Sequence, residues 1–325
     1  MYYKIRHLTR FQYSAPISQT FMELRMHPRT ELNQRCFDFQ CAVTPRAGMH
    51  SYRDFLANTV HHFGIPGVHR QLQVIAESIV EVTPPEPFPD SLPPDAWDAL
   101  DGCSANGEYY DMLLPSHFAK PTALLRELMA KLDARRRDNP LSLALELNTR
   151  LYDEFDYAPQ STRVDSPIDH ALSQRKGVCQ DFAHIMIAMM RSLHIPARYV
   201  SGYLYHGSED QDRSSDGATH AWVEVLIPGF GWLGLDPTNN LIAGQRHIRT
   251  AVGRDYMDVP PTNGVFLGEA DTNLSVSVTV TACAELPPEL METALAQEQF
   301  AAEVAMAAAE RQELEQQQQQ QQQQQ

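Results

Sequence analysis

The chain has 325 residues, enough for two domains of ordinary size, and its 43% hydrophobic and 21% charged content is that of a globular protein. A net charge of −15 argues against nucleic acid as a partner, since phosphate binding draws on clustered Lys and Arg. The five cysteines, at 36, 41, 103, 179 and 283, form no CxxC pair, which argues against a disulfide framework or a structural zinc site.

In chain order, the first ~115 residues read as β. YKIRHLTRFQY, CFDFQCAVTP and Val68 to Val82 all alternate apolar and polar residues, the period of half-buried strands. On a straight strand Cys36 and Cys41 would point to opposite faces. MYYKIRHLTRFQY lacks the apolar core of a signal peptide, and no later stretch reaches membrane-spanning length. The expected location is therefore the cytoplasm, with no membrane partner. Pro84 to Asp95 is proline-rich and reads as an extended connector.

Composition then turns helical. Pro121 to Arg137 places proline in first-turn position, with the basic cluster Arg135–Arg137 at the helix end, where cations complement the dipole. Pro140 to Tyr157 repeats the plan, with Leu141, Leu145 and Leu151 on its buried face. A short helix over Ile168 to Ser173 leads to a second apolar helix that begins near Cys179 and stops before Pro196. ARYVSGYLY, HAWVEVLI and WLGLD follow as strands, and Thr272 to Leu286 alternates once more. Helices followed by strands argue for an α+β fold. The expected domains are 1–115, β-rich; 116–285, helices packed on an antiparallel sheet; and 286–325, an Ala/Glu/Gln-rich helical or disordered tail ending in ten glutamines.

The chemistry starts at RKGVCQDFAH. Cys179 follows Gly177-Val178 at the mouth of an apolar helix, beside unpaired N–H donors and the positive end of the macrodipole, surroundings that suit a thiolate nucleophile. Buried cysteines are common as plain small hydrophobes, so position alone decides nothing. A nucleophile also needs a base and a group that orients it. In THAWVEVLIPGFGWLGLDPTNN, His220 starts one strand and Asp236 ends the next. A two-residue turn at Pro228-Gly229 would set His220 opposite Pro237, one residue from direct opposition to Asp236, and a bulge would correct the register. With strands about 5 Å apart, a carboxylate can then hydrogen-bond an imidazole.

These stretches resemble the transglutaminase-like superfamily of cysteine enzymes with a papain-like core. The likeness lies in RKGVCQDFAHIMIAMMRSLHIPARYVSGYL, THAWVEV and GWLGLDPTNN; YKIRHLTRFQYSAPI and NTVHHF resemble the β-rich N-terminal region of the bacterial two-domain members. The resemblance implies Cys179 as nucleophile, His220 as base and Asp236 as orienting acid. It implies acyl transfer from the amide of a peptide or protein through a thioester, ending in hydrolysis or transamidation, with no cofactor and no metal. The glutamine-ended tail has no counterpart in the pattern.

Around that triad, the backbone N–H of Cys179 is a candidate oxyanion donor, with Tyr157 and Gln180 as side-chain candidates and Trp222, on the His220 face, as a wall of the site. His184 lies about 140° around the helix from Cys179 and reads as packing, and Asp181 as a partner of the helix dipole. A metal held by Cys179, His184, His220 and Asp236 fits no usual zinc spacing. Two alternatives stay open: a thioester-dependent N-acyltransferase, and a non-catalytic papain-like binding scaffold. The sequence assigns no oligomeric state.

Overall fold

The computed structural model describes residues 1–89, 91–107, 109–288 and 290–291. Most of the tail, 292–325, thus lies outside the described residues. The N-terminal alternation becomes long strands: β1 Tyr2–Ile17, β2 Gln19–Leu24, β3 Gln34–Thr44, β4 Met49–Arg53, β5 Thr59–Ile65 and β6 His69–Val82. Along most of β1, and along β6 from Leu72 onward, every second residue is buried, as a one-sided sheet requires. In β3 an extra residue at Phe37 shifts the register, so Cys36 pairs with Val80 and Cys41 with Ala76. The bulge corrects the straight-strand expectation, because Val80 and Ala76 share a face and so do the two cysteines. Both are free thiols, and burial pushes Cys36 up to about 12 and Cys41 up to about 11, the surroundings of inert cysteines.

Helices follow in the described residues, among them α1 Ala96–Ala105, α2 Ala123–Lys131, α3 Pro140–Glu154, α4 Ile168–Gln174 and α5 Cys179–Ser192. α2 is shorter than its pattern suggested. Thr122 caps it by accepting the Leu125 N–H, which leaves Pro121 outside, and it ends at Lys131. Arg135–Arg137 therefore lie beyond the helix, and Arg136 and Arg137 pair with Asp101 and Glu146 instead of serving its dipole. α3 starts on Pro140 with Asn139 as its cap; Leu141 and Leu151 are buried and Leu145 half-buried.

α5 is buried on every side from Gln180 to Arg191 and packs on a five-stranded antiparallel sheet. The sheet runs β12-β11-β10-β9-β13, built from Leu241–Ile242, Gly231–Asp236, His220–Ile227, Ala197–Leu204 and His247–Gly253 in that order. Two short parallel strands, β7 Asp156–Tyr157 and β8 Lys176–Gly177, set Tyr157 beside Gly177, just before Cys179. Arg191 anchors the far end of α5. Its buried guanidinium donates to the carbonyls of Met112, Leu114, Ala197 and Arg254, so the cost of burying its charge is offset by acceptors.

The chain then returns to the N-terminal sheets. β14 Thr262–Leu267 pairs with β2, and β15 Thr272–Cys283 lies beside β1, giving sheets β14-β2-β5-β4 and β15-β1-β6-β3. Sequence order alone had grouped these strands with the helical half. The edge of β13 is covered by side chains of the N-terminal region. The buried Asn58, from NTVHHF, donates to the Val252 carbonyl at 2.8 Å and accepts the Val252 N–H at 2.8 Å. Gln34 does the same with Arg249. Two amides thus satisfy backbone groups that an edge strand would leave open. Among the described residues no helix is long and apolar enough to cross a membrane.

Candidate active site

Cys179 is the first residue of α5 and is half-buried. Its position is fixed by the turn ahead of it. Val178 is extended, and its N–H donates to Asp181 Oδ2 at 2.8 Å, so the first helical turn is closed by its own carboxylate. Gly177 leaves room for that carboxylate: a Cβ there would sit 2.8 Å from the Cβ of Asp181. Burial raises the Asp181 pKa. Its role is that of a helix-start partner.

His220 opens β10 and Asp236 closes β11. The hairpin between them differs from the expected two-residue turn. Ile227 faces Gly231, so Pro228, Gly229 and Phe230 form a three-residue loop, with Gly229 at φ +75°. Val223 faces Leu235, and the same register carries Asp236 opposite Trp222. His220 lies two residues from Trp222 and on its face, so the imidazole and the carboxylate meet diagonally with no bulge. His220 Nε2 donates to Asp236 Oδ2 at 2.8 Å, and both residues are buried.

Asp236 is a hub of donors. Its Oδ2 also accepts from His247 Nε2 at 3.2 Å and from Asn239 Nδ2 at 2.8 Å. Its Oδ1 accepts the backbone N–H groups of Thr238 at 3.0 Å and Asn239 at 3.2 Å. Burial alone would raise this carboxyl, but the two histidines hold it far below the usual carboxylate range. In the same way burial depresses His220, yet the Asp236 charge and hydrogen bond, joined by a hydrogen bond from the Cys179 side, push it up to about 10. With Nε2 committed to Asp236, Nδ1 is the ring nitrogen left for the sulfur.

His247 and Asn239 had no place in the sequence reading. His247 Nδ1 accepts the Gly244 N–H at 3.3 Å, so a neutral ring carries its proton on Nε2, facing Asp236. Burial lowers its pKa despite Asp236, consistent with that neutral ring. Asn239 joins Asp236 to the loop before β10 through Ser214 Oγ at 3.0 Å. His220, Asp236 and His247 bring one ligand atom each within 4.8 Å of one another, close enough for a metal ion. Two imidazole N–H groups donated to one carboxylate account for the same closeness.

The other sequence candidates divide. Trp222 is fully buried and stacks under His220, with ring centroids 6.1 Å apart and planes 24° from parallel, so it floors the site. Gly202, paired with His220 across β9, makes room for it: a Cβ there would lie 2.7 Å from the indole and 2.1 Å from the Ile248 carbonyl. Tyr157 Oη accepts the Ser215 N–H at 3.2 Å, which holds the loop ahead of His220. Gln180 is turned to the Val164 carbonyl, to which its amide donates at 2.8 Å. His184 is buried and stacks on Phe118 with centroids 5.0 Å apart; burial drives it down to about 3, as befits a packing residue.

The N-terminal residues 3–81 match the model of the bacterial transglutaminase-like N-terminal region, and residues 127–237 match that of the transglutaminase-like superfamily. An uncharacterized protein of Mycobacterium tuberculosis is 34% identical over 293 residues, 86% of this chain and 92% of that protein. One of Mycobacterium leprae is 31% identical over 280 residues, 86% of this chain and 98% of that protein. The chain belongs to the transglutaminase-like superfamily. A solved structure from Cytophaga hutchinsonii described as a candidate cysteine protease superposes with a TM-score of 0.67. It is 22% identical and covers 88% of this chain and 93% of its own, which shows a shared fold. A protein-glutamine gamma-glutamyltransferase of Pseudomonas aeruginosa is 35% identical over 107 residues, 30% of this chain and 16% of that protein. Transglutaminase-like membership therefore covers both the β-rich front and the Cys179 core.

Proposed function

We propose that this transglutaminase-like protein is a cysteine enzyme that transfers the acyl group of a peptide or protein amide through a thioester. The supporting observation is the buried His220–Asp236 hydrogen bond at the end of one hairpin, with Cys179 half-buried at the start of α5 and acting on the same imidazole. The Cys179 sulfur adds to the amide carbonyl carbon, and the oxygen takes the negative charge. The Cys179 backbone N–H, at the first position of its helix, is the donor aimed at that oxygen. His220 passes its proton to the departing nitrogen, the C–N bond breaks, and an amine or ammonia leaves. Water or a second amine then attacks the thioester, loses a proton to His220 and releases the thiolate.

His220 is suited to the proton donation because Asp236 keeps its imidazolium stable to about pH 10. The partial relative that carries a protein-glutamine transferase name makes the glutamine carboxamide the first substrate to test. The cytoplasm is the compartment we assign to this activity.

The test is turnover of small glutamine and peptide amides by the purified protein, with and without an added primary amine, alongside iodoacetamide labelling at neutral pH. The expected result is one-to-one labelling at Cys179 and product release that Cys179→Ala lacks. Ammonia release without amine incorporation identifies hydrolysis; incorporation identifies transamidation. Equal product formation by Cys179→Ala and the parent would overturn the reading.

A further inference from the structure

A cavity of about 410 Å³ is lined by Phe11 and Tyr13 of β1, Met22 of β2, Phe266 of β14, Leu274 of β15, and Tyr256. Two of its lining residues tie it to the nucleophile. Tyr256 donates its backbone N–H to His184 Nε2 of α5, the Cys179 helix, at 3.2 Å. Val164, also in the lining, holds the side chain of Gln180, the next residue after Cys179. The cavity is therefore tied at two points, Gln180 and His184, to the helix that carries the nucleophile.

Its chemistry is one-sided. Among the described residues that line it there is no Asp, Glu, Lys, Arg or His, although the chain as a whole carries a charge of −15. A charged side chain entering would give up hydration and find no counter-ion. An apolar one would lose water against aromatic and thioether surface. The volume is near the lower end of the range for sites that enclose small molecules, so it fits one large side chain and its backbone, not a folded segment.

We propose that this cavity is the specificity subsite of the enzyme, taking a large apolar or aromatic side chain that lies beside the reacting amide of a peptide substrate. This rests on the acyl-transfer reading above. It assigns the selection of substrate to β1, β2, β14 and β15, and gives the return of the chain to the N-terminal sheets a function.

The experiment compares alkylation of Cys179 by acetyl-Xaa-glycyl chloromethyl ketones, with Xaa Phe, Ala or Glu, each rate divided by the iodoacetamide rate of the same protein. The sulfur displaces chloride in every case, so only the fit of Xaa differs. The Phe reagent should react at least tenfold faster than Ala, and Glu no faster than Ala. Val265→Lys and Leu274→Lys alter residues that line the cavity but are largely exposed, so folding is preserved; each should cut the Phe advantage at least fivefold. Equal rates for Phe and Glu, or a Phe advantage that survives both lysines, would overturn the subsite. A Cys179 that resists iodoacetamide would instead count against the acyl-transfer reading. Methyl NMR of the methionines then judges the cavity alone. Acetyl-phenylalaninamide should shift the Met22 and Met257 methyls saturably, and acetyl-glutamate amide should not. Unmoved Met22 and Met257 signals would sink the proposal.

Discussion

Asp236→Asn is the substitution most informative about the site. The carboxylate accepts two backbone N–H groups on Oδ1 and three side-chain donors on Oδ2. An amide cannot serve both sets. With its NH2 toward Thr238 and Asn239 it faces two donors. With its NH2 toward His220 it donates to Nε2, forcing the ring proton onto Nδ1, the nitrogen left for Cys179. Either orientation also removes the charge. Asp236, with help from Cys179, lifts His220 from 6.5 to about 10 against burial, which lowers it. Loss of roughly 3 pH units or more corresponds to about 4 kcal/mol, or a factor of ~10³.

The sign follows from the raised value. The imidazolium is present below about pH 10 and is lost as pH rises through it, so activity that needs this proton should fall on the alkaline side near pH 10. In Asp236→Asn burial acts with only the Cys179 contact against it, and the alkaline limb should move below roughly pH 7. At pH 8 the lost imidazolium alone should lower kcat/KM about tenfold, and the wrong tautomer should carry the loss further, toward the ~10⁴ precedent of the serine proteases. The assay is the pH profile of kcat/KM on the best amide substrate, with the iodoacetamide rate of Cys179 measured in parallel. An alkaline limb that stays near pH 10 with an unchanged rate would refute the role of Asp236.

Cys179→Ala should lose all turnover while keeping the thermal midpoint near that of the parent, because the side chain is only half-buried; a calorimetric scan with the activity assay checks both. His247→Leu removes one of the donors on Asp236 and strands the Gly244 N–H, so turnover should fall about tenfold, far less than in His220→Ala; single-turnover rates decide. Gly202→Ala drives a methyl into the Ile248 carbonyl and the Trp222 ring, and should cost about 1–3 kcal/mol in urea unfolding. Stability from the His220–Asp236 pair should be full near pH 5–6, between the unfolded pKa values of the two groups, and decline as pH rises from 6.5 to about 10; the parent-minus-Asp236→Asn difference in melting temperature across that range measures it.

The parts of the fold with strong local signals were legible in the sequence. β1, β6 and α3 follow their hydrophobic periods, α5 follows its apolar run, and the Cys179 helix start follows from one glycine and a carboxylate at the right spacing. What escaped depended on partners far along the chain. β13 reads HIRTAVG, which does not alternate cleanly; it is buried throughout, paired by β9 along one edge and by Asn58 and Gln34 along the other. His247 was missed with its strand, since nothing local marks a histidine that points to a carboxylate eleven residues earlier. Asn239 stood within the quoted DPTNN, and its short spacing from Asp236 was the available sign.

The hairpin shows why a right pairing can follow from a wrong turn. A two-residue loop would place His220 opposite Pro237 and so on the face away from Asp236, and only a bulge could bring them together. The third loop residue changes the parity and supplies the common face directly. It is accommodated by Gly229 at φ +75° and Gly231 at φ +101°, conformations other residues adopt at a cost. The geometry of the His220–Asp236 couple is thus set at the opposite end of the hairpin, by a PGFG stretch that carries no catalytic group. Residue identity picked out the pair, and backbone chemistry at the turn decides that the two side chains can meet.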